Sequence, residues 1–146
     1  MRGMMETFTP YLYALMRMIV GALFACHGAQ KLFGVLGGVG EEPGATVALF
    51  SLMGLAGVIE FAGGLLIATG CLTRISAFIA SGQMAAAYFM AHAPRGFWPL
   101  QNGGEVVVIY CFVFLYIAAQ GAGTWSIDRV WRRSLGQATE SGEGSG

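Results

Sequence analysis

The sequence predicts an all-α fold, a membrane-embedded four-helix bundle that runs up-down-up-down with both termini in the cytoplasm. The first observation is composition: 55% of the 146 residues are hydrophobic and 11% are charged, which leaves too little polar surface for a soluble domain. The second is a set of four apolar stretches, each close to or above the roughly 20 residues that a helix needs to cross a bilayer. We therefore expect helices at about 10–33, 45–71, 74–93 and 105–127, within one domain that covers residues 1–133.

The distribution of basic residues predicts the side of the membrane that each loop occupies. Four spans divide the basic residues into two sets on opposite sides: Arg2, Arg74, Arg129, Arg132 and Arg133 in one, Lys31 and Arg95 in the other. Because cytoplasmic loops carry an excess of Lys and Arg, the larger set predicts cytoplasmic termini and a multi-pass location in a bacterial-type inner membrane. The cluster at 129–133 is expected to touch anionic membrane lipid rather than nucleic acid. The polar tail 134–146 is expected to be a disordered linker or an expression remnant.

Local motifs predict where individual helices begin and end. Pro10 suits the first turn of the first helix, where its missing N–H costs nothing. Gly70 is typical of a helix stop, and Thr73 is expected to be the next N-cap, so that helices two and three form a tight hairpin. Asn102 and Glu105 have the spacing of a capping box at the start of helix four, which gives Glu105 a structural role.

Ionisable side chains inside the apolar stretches are the main clue to function, because a charge in hydrocarbon normally faces a partner or a water-filled cavity. Counting about 1.5 Å per residue from the cytoplasmic ends places Arg17 roughly 9 Å, Gln83 roughly 14 Å and Glu60 roughly 16 Å into the membrane. These depths predict an Arg17–Glu60 pair, with Gln83 on a remaining carboxylate lone pair. The pair is either an interhelical staple or a functional layer, and the two interpretations have equal weight.

A second polar group is expected at the outer end of the bundle. His27 and Lys31 are four residues apart and project from one helix face, while Asn102 and Glu105 open helix four. We expect these four side chains to line one shallow pocket, with Trp98 near its mouth to stack on an aromatic ring. Histidine exchanges protons near neutral pH, and Lys with a helix N-terminus stabilises an oxyanion. This chemistry suits a quinone head, although each histidine alone is more often a hydrogen-bonded interfacial residue.

Metal and cofactor signals are weak. His27, His92 and Glu105 are chemically able to bind zinc or iron, but they lie on three helices without diagnostic spacing, so we predict no metal site. The chain shows no haem, flavin or dinucleotide signature. His92, which ends helix three, is instead a candidate for substrate binding. Cys26 and Cys111 are expected to be packing residues, with a disulfide between them left open.

Small residues gather around Glu60, among them Gly57 and Gly64, and Gly21 lies in helix one. They are expected to let helix backbones approach closely, because lipid supplies no hydrophobic drive for helix association. The alternative is that they leave room for a ligand ring.

Several of these residues fall in runs that resemble the DoxX family of small four-helix membrane proteins. The resemblance covers about residues 11–128 and rests on four runs: Arg17 followed by HGAQKL at 27–32, EFAGGLL at 60–66, NGGE at 102–105 and GAGTWSID at 121–128. It implies a membrane subunit associated with oxidoreductases, including thiosulfate:quinone oxidoreductase and thiol or quinone stress systems. It also implies a set of candidate functional positions: Arg17, His27, Gln30, Lys31, Glu60, Asn102 and Glu105.

The functional hypothesis is therefore a membrane protein that binds a quinone-like redox molecule or supports its reduction, while a redox protein partner supplies electrons. His27, Glu60 and Arg17 are the candidates for proton transfer. The candidates for substrate binding are Lys31, Gln30, Gln83, His92, Trp98, Asn102 and Glu105. Two alternatives from other classes are a small-molecule or proton-coupled transporter and a structural scaffold without catalysis. Membrane lipid is an expected partner. The sequence leaves open whether the chain forms a homo-oligomer and whether it is an enzyme in its own right.

Overall fold

The computed structural model describes residues 2–134, with side chains from residue 5 onward. Every regular element in that range is helical, which agrees with the predicted fold class. The main helices are α1 (Arg2–Phe33), α2 (Leu52–Thr69), α3 (73–92), the short α4 (Pro99–Asn102) and α5 (Glu105–Gln120). Two 3₁₀ turns follow α1 and α3, at Val35–Gly37 and Ala93–Arg95, and residues 127–134 are again helical. The predicted tail beyond Ser134 lies outside the described residues.

The bounds of α1 and α5 differ from those predicted. Helix α1 begins before Pro10, which lies inside the helix rather than in its first turn. Helix α5 ends at Gln120 instead of reaching residue 127, because Gly121 adopts φ 87° and ψ −163° and turns the chain away. The loop 121–126 that follows therefore carries the GAGTWS run.

Helix α2 begins later than the predicted residue 45 and ends at Thr69, slightly before the predicted residue 71. Ser51 is its N-cap, with the Ser51 hydroxyl accepting a hydrogen bond of 3.0 Å from the N–H of Gly54. Its end is a Schellman motif: Gly70 has φ 72°, and the N–H of Cys71 donates to the carbonyl of Leu66 at 2.9 Å. The helix stop predicted at Gly70 is confirmed.

Two predicted caps were wrong. Thr73 is a helical residue of α3, and Leu72 occupies the N-cap position. At the start of α5 the N-cap is Gly104, without a side-chain cap. The Asn102 amide oxygen accepts from the N–H of Gly104 at 2.8 Å, which turns the loop but does not form the predicted box with Glu105. Sequence spacing identified Asn102 as a turn residue without giving the turn's geometry.

Helices α2 and α3 each contain one wide turn of π-helix, at Ile59–Gly63 and Tyr88–His92. Such turns insert a residue into the helical repeat and are frequent at functional sites. Glu60 lies in the first of them, where it is buried.

Helices α1 and α2 pack backbone against backbone through glycine. A Cβ placed on Gly28 would lie 2.2 Å from the backbone nitrogen of Phe61, and one on Gly21 would lie 2.5 Å from that of Ala68. Gly64 meets α1 in the same way, at Ala25. These contacts favour the packing role for these glycines.

Helices α3 and α5 form the second close pair. The Ser81 hydroxyl donates to the carbonyl of Cys111 at 2.8 Å. Phe24 of α1 packs on Phe114 with ring centroids 4.7 Å apart, and this contact joins the two pairs. The buried apolar cluster between them consists of Phe24, Ile67, Ala77, Ala80, Met84, Phe114 and Ile117.

Two helical segments, Met5–Phe33 and Leu52–Thr69, are long and apolar enough to cross a membrane, and Glu105–Gln120 is a shorter apolar helix. Many large apolar side chains face outward, including Phe78 and Phe112. An apolar exterior of this extent is stable against lipid rather than water. The number of spans, their up-down order and the side on which the termini lie remain predictions.

Candidate functional site

Three polar side chains from three helices converge where the end of α1 meets α2 and α3. Lys31, in the last turn of α1, places its Nζ 2.5 Å from Glu60 Oε1. The Gln83 amide of α3 donates to the same oxygen at 2.9 Å and approaches the carbonyl of Ala56 at 3.4 Å. Glu60 is thus held by α1 and by α3 at once.

Burial makes this cluster unusual. Glu60 is 3% exposed, and the Lys31 side chain is 19% exposed. Two buried acceptors in the cluster, Glu60 Oε2 and Gln83 Oε1, have no hydrogen-bond partner among the described residues. Buried polar atoms are nearly always hydrogen-bonded, so each exception calls for an explanation such as a bound molecule.

The cluster lines a crevice of about 380 Å³ between α2 and α3. Its walls are otherwise apolar, and the side chains that form them include Leu55, Ala56, Ile59, Ile79, Ala86 and Met90. Small-molecule sites typically combine apolar walls of this size with a few fixed polar groups. A larger cavity of about 560 Å³ lies beside Tyr13 and Tyr116, but no buried unpartnered atom of the described residues belongs to its lining.

Arg17 does not pair with Glu60, so this prediction was wrong. Arg17 is fully buried, and its guanidinium donates to four backbone carbonyls. Their donor–acceptor distances are 2.5 Å to Ile67, 2.8 Å to Ala68, 3.4 Å to Thr124 and 2.8 Å to Trp125. A cation is stabilised by the carbonyls that a helix end leaves free. The depth count gave the height of Arg17 along its helix but not the direction of its side chain.

Arg74 and Asp128 join the same end of the molecule, and sequence reasoning assigned neither of them a contact. Arg74 donates to the carbonyls of Ala118 and Ala119 at the end of α5, at 3.1 and 2.8 Å. Asp128 accepts from the N–H groups of Leu72 and Thr73, at 2.8 and 3.1 Å. It therefore caps α3 from 55 residues away. The Ser-Ile-Asp ending of the GAGTWSID run was the sequence signal that could have identified Asp128.

The environment of Asp128 lowers the pKa of its carboxyl group. Burial by itself raises this pKa, but it is outweighed by the hydrogen bonds from the backbone N–H groups of Thr73 and Leu72 and from the Thr73 hydroxyl, and by the charge of Arg132. The ionised form of Asp128 is thus the one that caps α3.

The pocket predicted from His27, Lys31, Asn102 and Glu105 does not form. His27 is exposed and lies edge-on to Tyr110 of α5, with ring centroids 6.3 Å apart, whereas Lys31 faces Glu60 of α2. Glu105 is exposed at the start of α5. Residues four apart share a helix face, but each of these two long side chains reaches a different neighbouring helix.

Asn102 instead holds the loop between α3 and α5. It is buried, and its amide donates to the carbonyl of Gly96 at 2.6 Å and to the Tyr88 hydroxyl at 3.3 Å. The His92 Nδ1 lies 3.2 Å from the carbonyl of Asn102, so two of the predicted outer residues do meet. Trp98 is 65% exposed on this loop.

The remaining candidates lie apart from the crevice. Gln30 reaches the carbonyl of Leu36 at 3.5 Å, at the exposed end of α1. His27, His92 and Glu105 belong to no metal-binding group within residues 2–134. Cys26 and Cys111 are free thiols. Of the ten predicted site residues, the fold brings Lys31, Glu60 and Gln83 together.

The described residues are all-helical, with two helices long and apolar enough to span a membrane and an apolar exterior, and these are features of integral membrane proteins. The DoxX family model matches residues 12–93, and the chain belongs to the DoxX family. The resemblance in its sequence is thereby confirmed, and the chain is a DoxX-family membrane protein.

Two relatives were found among curated proteins. An uncharacterized protein of Haemophilus influenzae is 37% identical over 134 residues, which cover 85% of this chain and 93% of the relative. An uncharacterized membrane protein of Mycobacterium tuberculosis is 29% identical over 126 residues, covering 77% of each. No solved structure matches the chain.

Proposed function

We propose that this chain is a four-span inner-membrane protein that binds a quinone-like redox molecule in the crevice between α2 and α3, and serves as the membrane subunit of an oxidoreductase system. The observation that carries the proposal is the apolar crevice lined by Lys31, Glu60 and Gln83. Glu60 and Gln83 each hold a buried acceptor that has no partner among the described residues.

Helix contacts support the up-down order of the spans. Along α1 and α2, Gly21 meets Ala68 while Gly28 meets Phe61, so the two helices run in opposite directions. Along α3 and α5, Arg74 meets Ala118 and Ser81 meets Cys111, so these two helices also run in opposite directions.

The distribution of arginine supports cytoplasmic termini. A pocket at one end of the molecule is lined by Arg74, Arg129, Arg132 and Arg133. Spans with this concentration of Arg at one end orient it toward the cytoplasm, where it contacts anionic lipid headgroups.

The chemistry of the crevice fits a redox-active ring. Its apolar walls accept a ring and a prenyl-like tail directly from the lipid phase. The Lys31 ammonium supplies a hydrogen-bond donor for a ring oxygen, and Glu60 is a carboxyl group that can exchange a proton with it. Electrons come from a redox protein partner, because the chain has no flavin or dinucleotide fingerprint.

Mass spectrometry of small molecules that co-purify with the protein in mild detergent tests the ligand class. We expect a quinone in the extract, and its amount should fall by at least tenfold in Glu60→Gln, because the Glu60 carboxylate holds the Lys31 ammonium that donates to the ring oxygen. A hydrogen bond from a charged group contributes about 1.5–3 kcal/mol. Glu105→Gln is the matched variant, because Glu105 is an exposed carboxylate at the predicted outer pocket. Loss of quinone in Glu105→Gln but not in Glu60→Gln would place the quinone site at the predicted outer pocket instead of in the crevice.

Two further results would favour the other classes. Substrate uptake driven by an ion gradient in proteoliposomes, without co-purified quinone, favours a transporter. Absence of both ligand and uptake favours a scaffold.

Cysteine labelling tests the topology. A single cysteine introduced at Val39, in the loop after α1, should react with a membrane-impermeant reagent added from outside the inner membrane. Reaction only after the cytoplasm is opened would invert the proposed orientation.

A further inference from the structure

The two unpartnered atoms in the crevice cluster have the same chemical character, since both are acceptors. Glu60 Oε2 is a carboxylate oxygen and Gln83 Oε1 is an amide oxygen. The Gln83 Nε2 donates to Glu60 Oε1 and to the carbonyl of Ala56, and Lys31 Nζ uses one of its three N–H groups on Glu60 Oε1. Among the buried atoms of the cluster that lack a partner in the described part of the chain there is therefore an excess of acceptors, with no buried donor to match them.

The orientation of the Gln83 amide is supported by its surroundings. Amide nitrogen and oxygen are distinguished by their hydrogen-bond partners. Here one end of the amide faces two acceptors, Glu60 Oε1 and the Ala56 carbonyl, so that end is the nitrogen. Turning the amide over would place its oxygen against both of them, which is repulsive. The oxygen is the end that finds no partner within residues 2–134.

From this excess we infer that the crevice selects a ligand that donates hydrogen bonds, and that it binds the hydroquinone form of its redox molecule in preference to the quinone form. The inference rests on the proposed function. Reduction of a quinone by two electrons and two protons converts its two carbonyl oxygens into two hydroxyl groups. A quinone offers acceptors only, whereas a hydroquinone supplies the donors that Glu60 Oε2 and Gln83 Oε1 lack.

Both atoms are buried, so a ligand reaches them when the side chains around them move. Glu60 and Gln83 both line the crevice, and each has a flexible side chain. Rotamer changes of this kind are common on binding. A hydroxyl entering between α2 and α3 then meets an acceptor from each helix.

Such selectivity has a thermodynamic consequence. A site that binds the reduced form more tightly makes the bound molecule easier to reduce, and each tenfold difference in affinity raises the midpoint potential of this two-electron couple by about 30 mV. The bound molecule would then be a better electron acceptor than the same molecule free in the bilayer.

The test compares three ligands in lipid nanodiscs that contain the full chain: decylubiquinone, its hydroquinone kept under argon, and the dimethyl ether of that hydroquinone. The ether keeps the ring and tail but has no hydroxyl donor. We expect the hydroquinone to bind at least tenfold more tightly than either of the others, because a single charged hydrogen bond contributes about that much.

Two variants locate the effect. Gln83→Met removes one acceptor at similar volume, together with the amide donor to Glu60, and should reduce the preference severalfold. Gln101→Met, at an exposed position on α4, should leave it unchanged. Thermal unfolding checks that each variant is folded; if Gln83→Met is not, Gln83→Leu replaces it.

The outcomes separate the inference from the function on which it rests. Equal or tighter binding of the quinone would overturn the preference for the reduced form and leave the quinone site in place. Failure of both quinone and hydroquinone to bind the folded protein would reject the proposed function itself. A preference that persists in Gln83→Met and in Glu60→Met, each of which removes one of the two acceptors, would also overturn the inference, because it would not arise from these acceptors.

Discussion

Lys31 Nζ lies 2.5 Å from Glu60 Oε1 and joins the end of α1 to the π-helical turn of α2. The two residues differ in burial, since Glu60 is nearly inaccessible whereas Lys31 reaches the surface. The ionised form of Glu60 therefore depends on its partner more than the ionised form of Lys31 does, because only Lys31 reaches the surface. This asymmetry leads to the first prediction.

Lys31→Met should lower the free energy of unfolding by about 3 kcal/mol, because it leaves a buried carboxylate without its partner. Glu60→Gln should lower the free energy of unfolding by less than Lys31→Met does, because the Lys31 ammonium can turn toward the surface. The double variant should cost less than the sum of the two single variants. Unfolding by denaturant titration in mixed micelles measures all three, and strictly additive losses would count against the pair.

Arg17→Met should destabilise the protein by more than about 3 kcal/mol, because several buried carbonyls lose a charged hydrogen-bond donor. Arg17→Lys should retain part of the stability, since it keeps the charge without the branched guanidinium. Arg129→Met is the control, at an exposed arginine of the same end. Equal losses for Arg17→Met and Arg129→Met in the same micelles would show that the carbonyl contacts contribute little.

Gly28→Ala should destabilise the α1–α2 pair by about 1–3 kcal/mol, as expected for overpacking, because its Cβ would lie 2.2 Å from the Phe61 nitrogen. Gly63→Ala is the matched control, since a Cβ there meets nothing within 4 Å. That change should be neutral or stabilise by up to about 1 kcal/mol. Melting temperatures of the two variants in one detergent decide the matter, and a neutral Gly28→Ala would contradict the close packing.

Asp128 should make stability depend on pH in the acid range. The pKa of its carboxyl is lower in the folded protein than in the unfolded chain. The contribution of Asp128 to the free energy of unfolding is therefore complete above the pKa of about 3.9 that the group has in the unfolded chain. It is lost as the pH falls through the lower pKa of the folded protein. Asp128→Asn should flatten this part of the curve. Melting temperatures between pH 3 and pH 7 test the difference, and parallel curves would exclude the effect.

Composition and apolar run lengths sufficed to predict an all-helical membrane protein, and the local runs around Lys31, Glu60 and Asn102 sufficed to predict its family. These properties depend on residues close together in the chain. The helix stop at Gly70 belongs with them, because a left-handed glycine at the end of an apolar run is a local signal.

The partners of the buried charges were decided by the tertiary structure alone. A residue count gives height along a helix, but it gives neither the rotation of one helix against another nor the direction of a long side chain. Glu60 therefore meets Lys31 and not Arg17, and the cap of α3 comes from Asp128, 55 residues away. Which charge meets which depends on how closely α1 and α2 approach, and only the packed helices determine that distance.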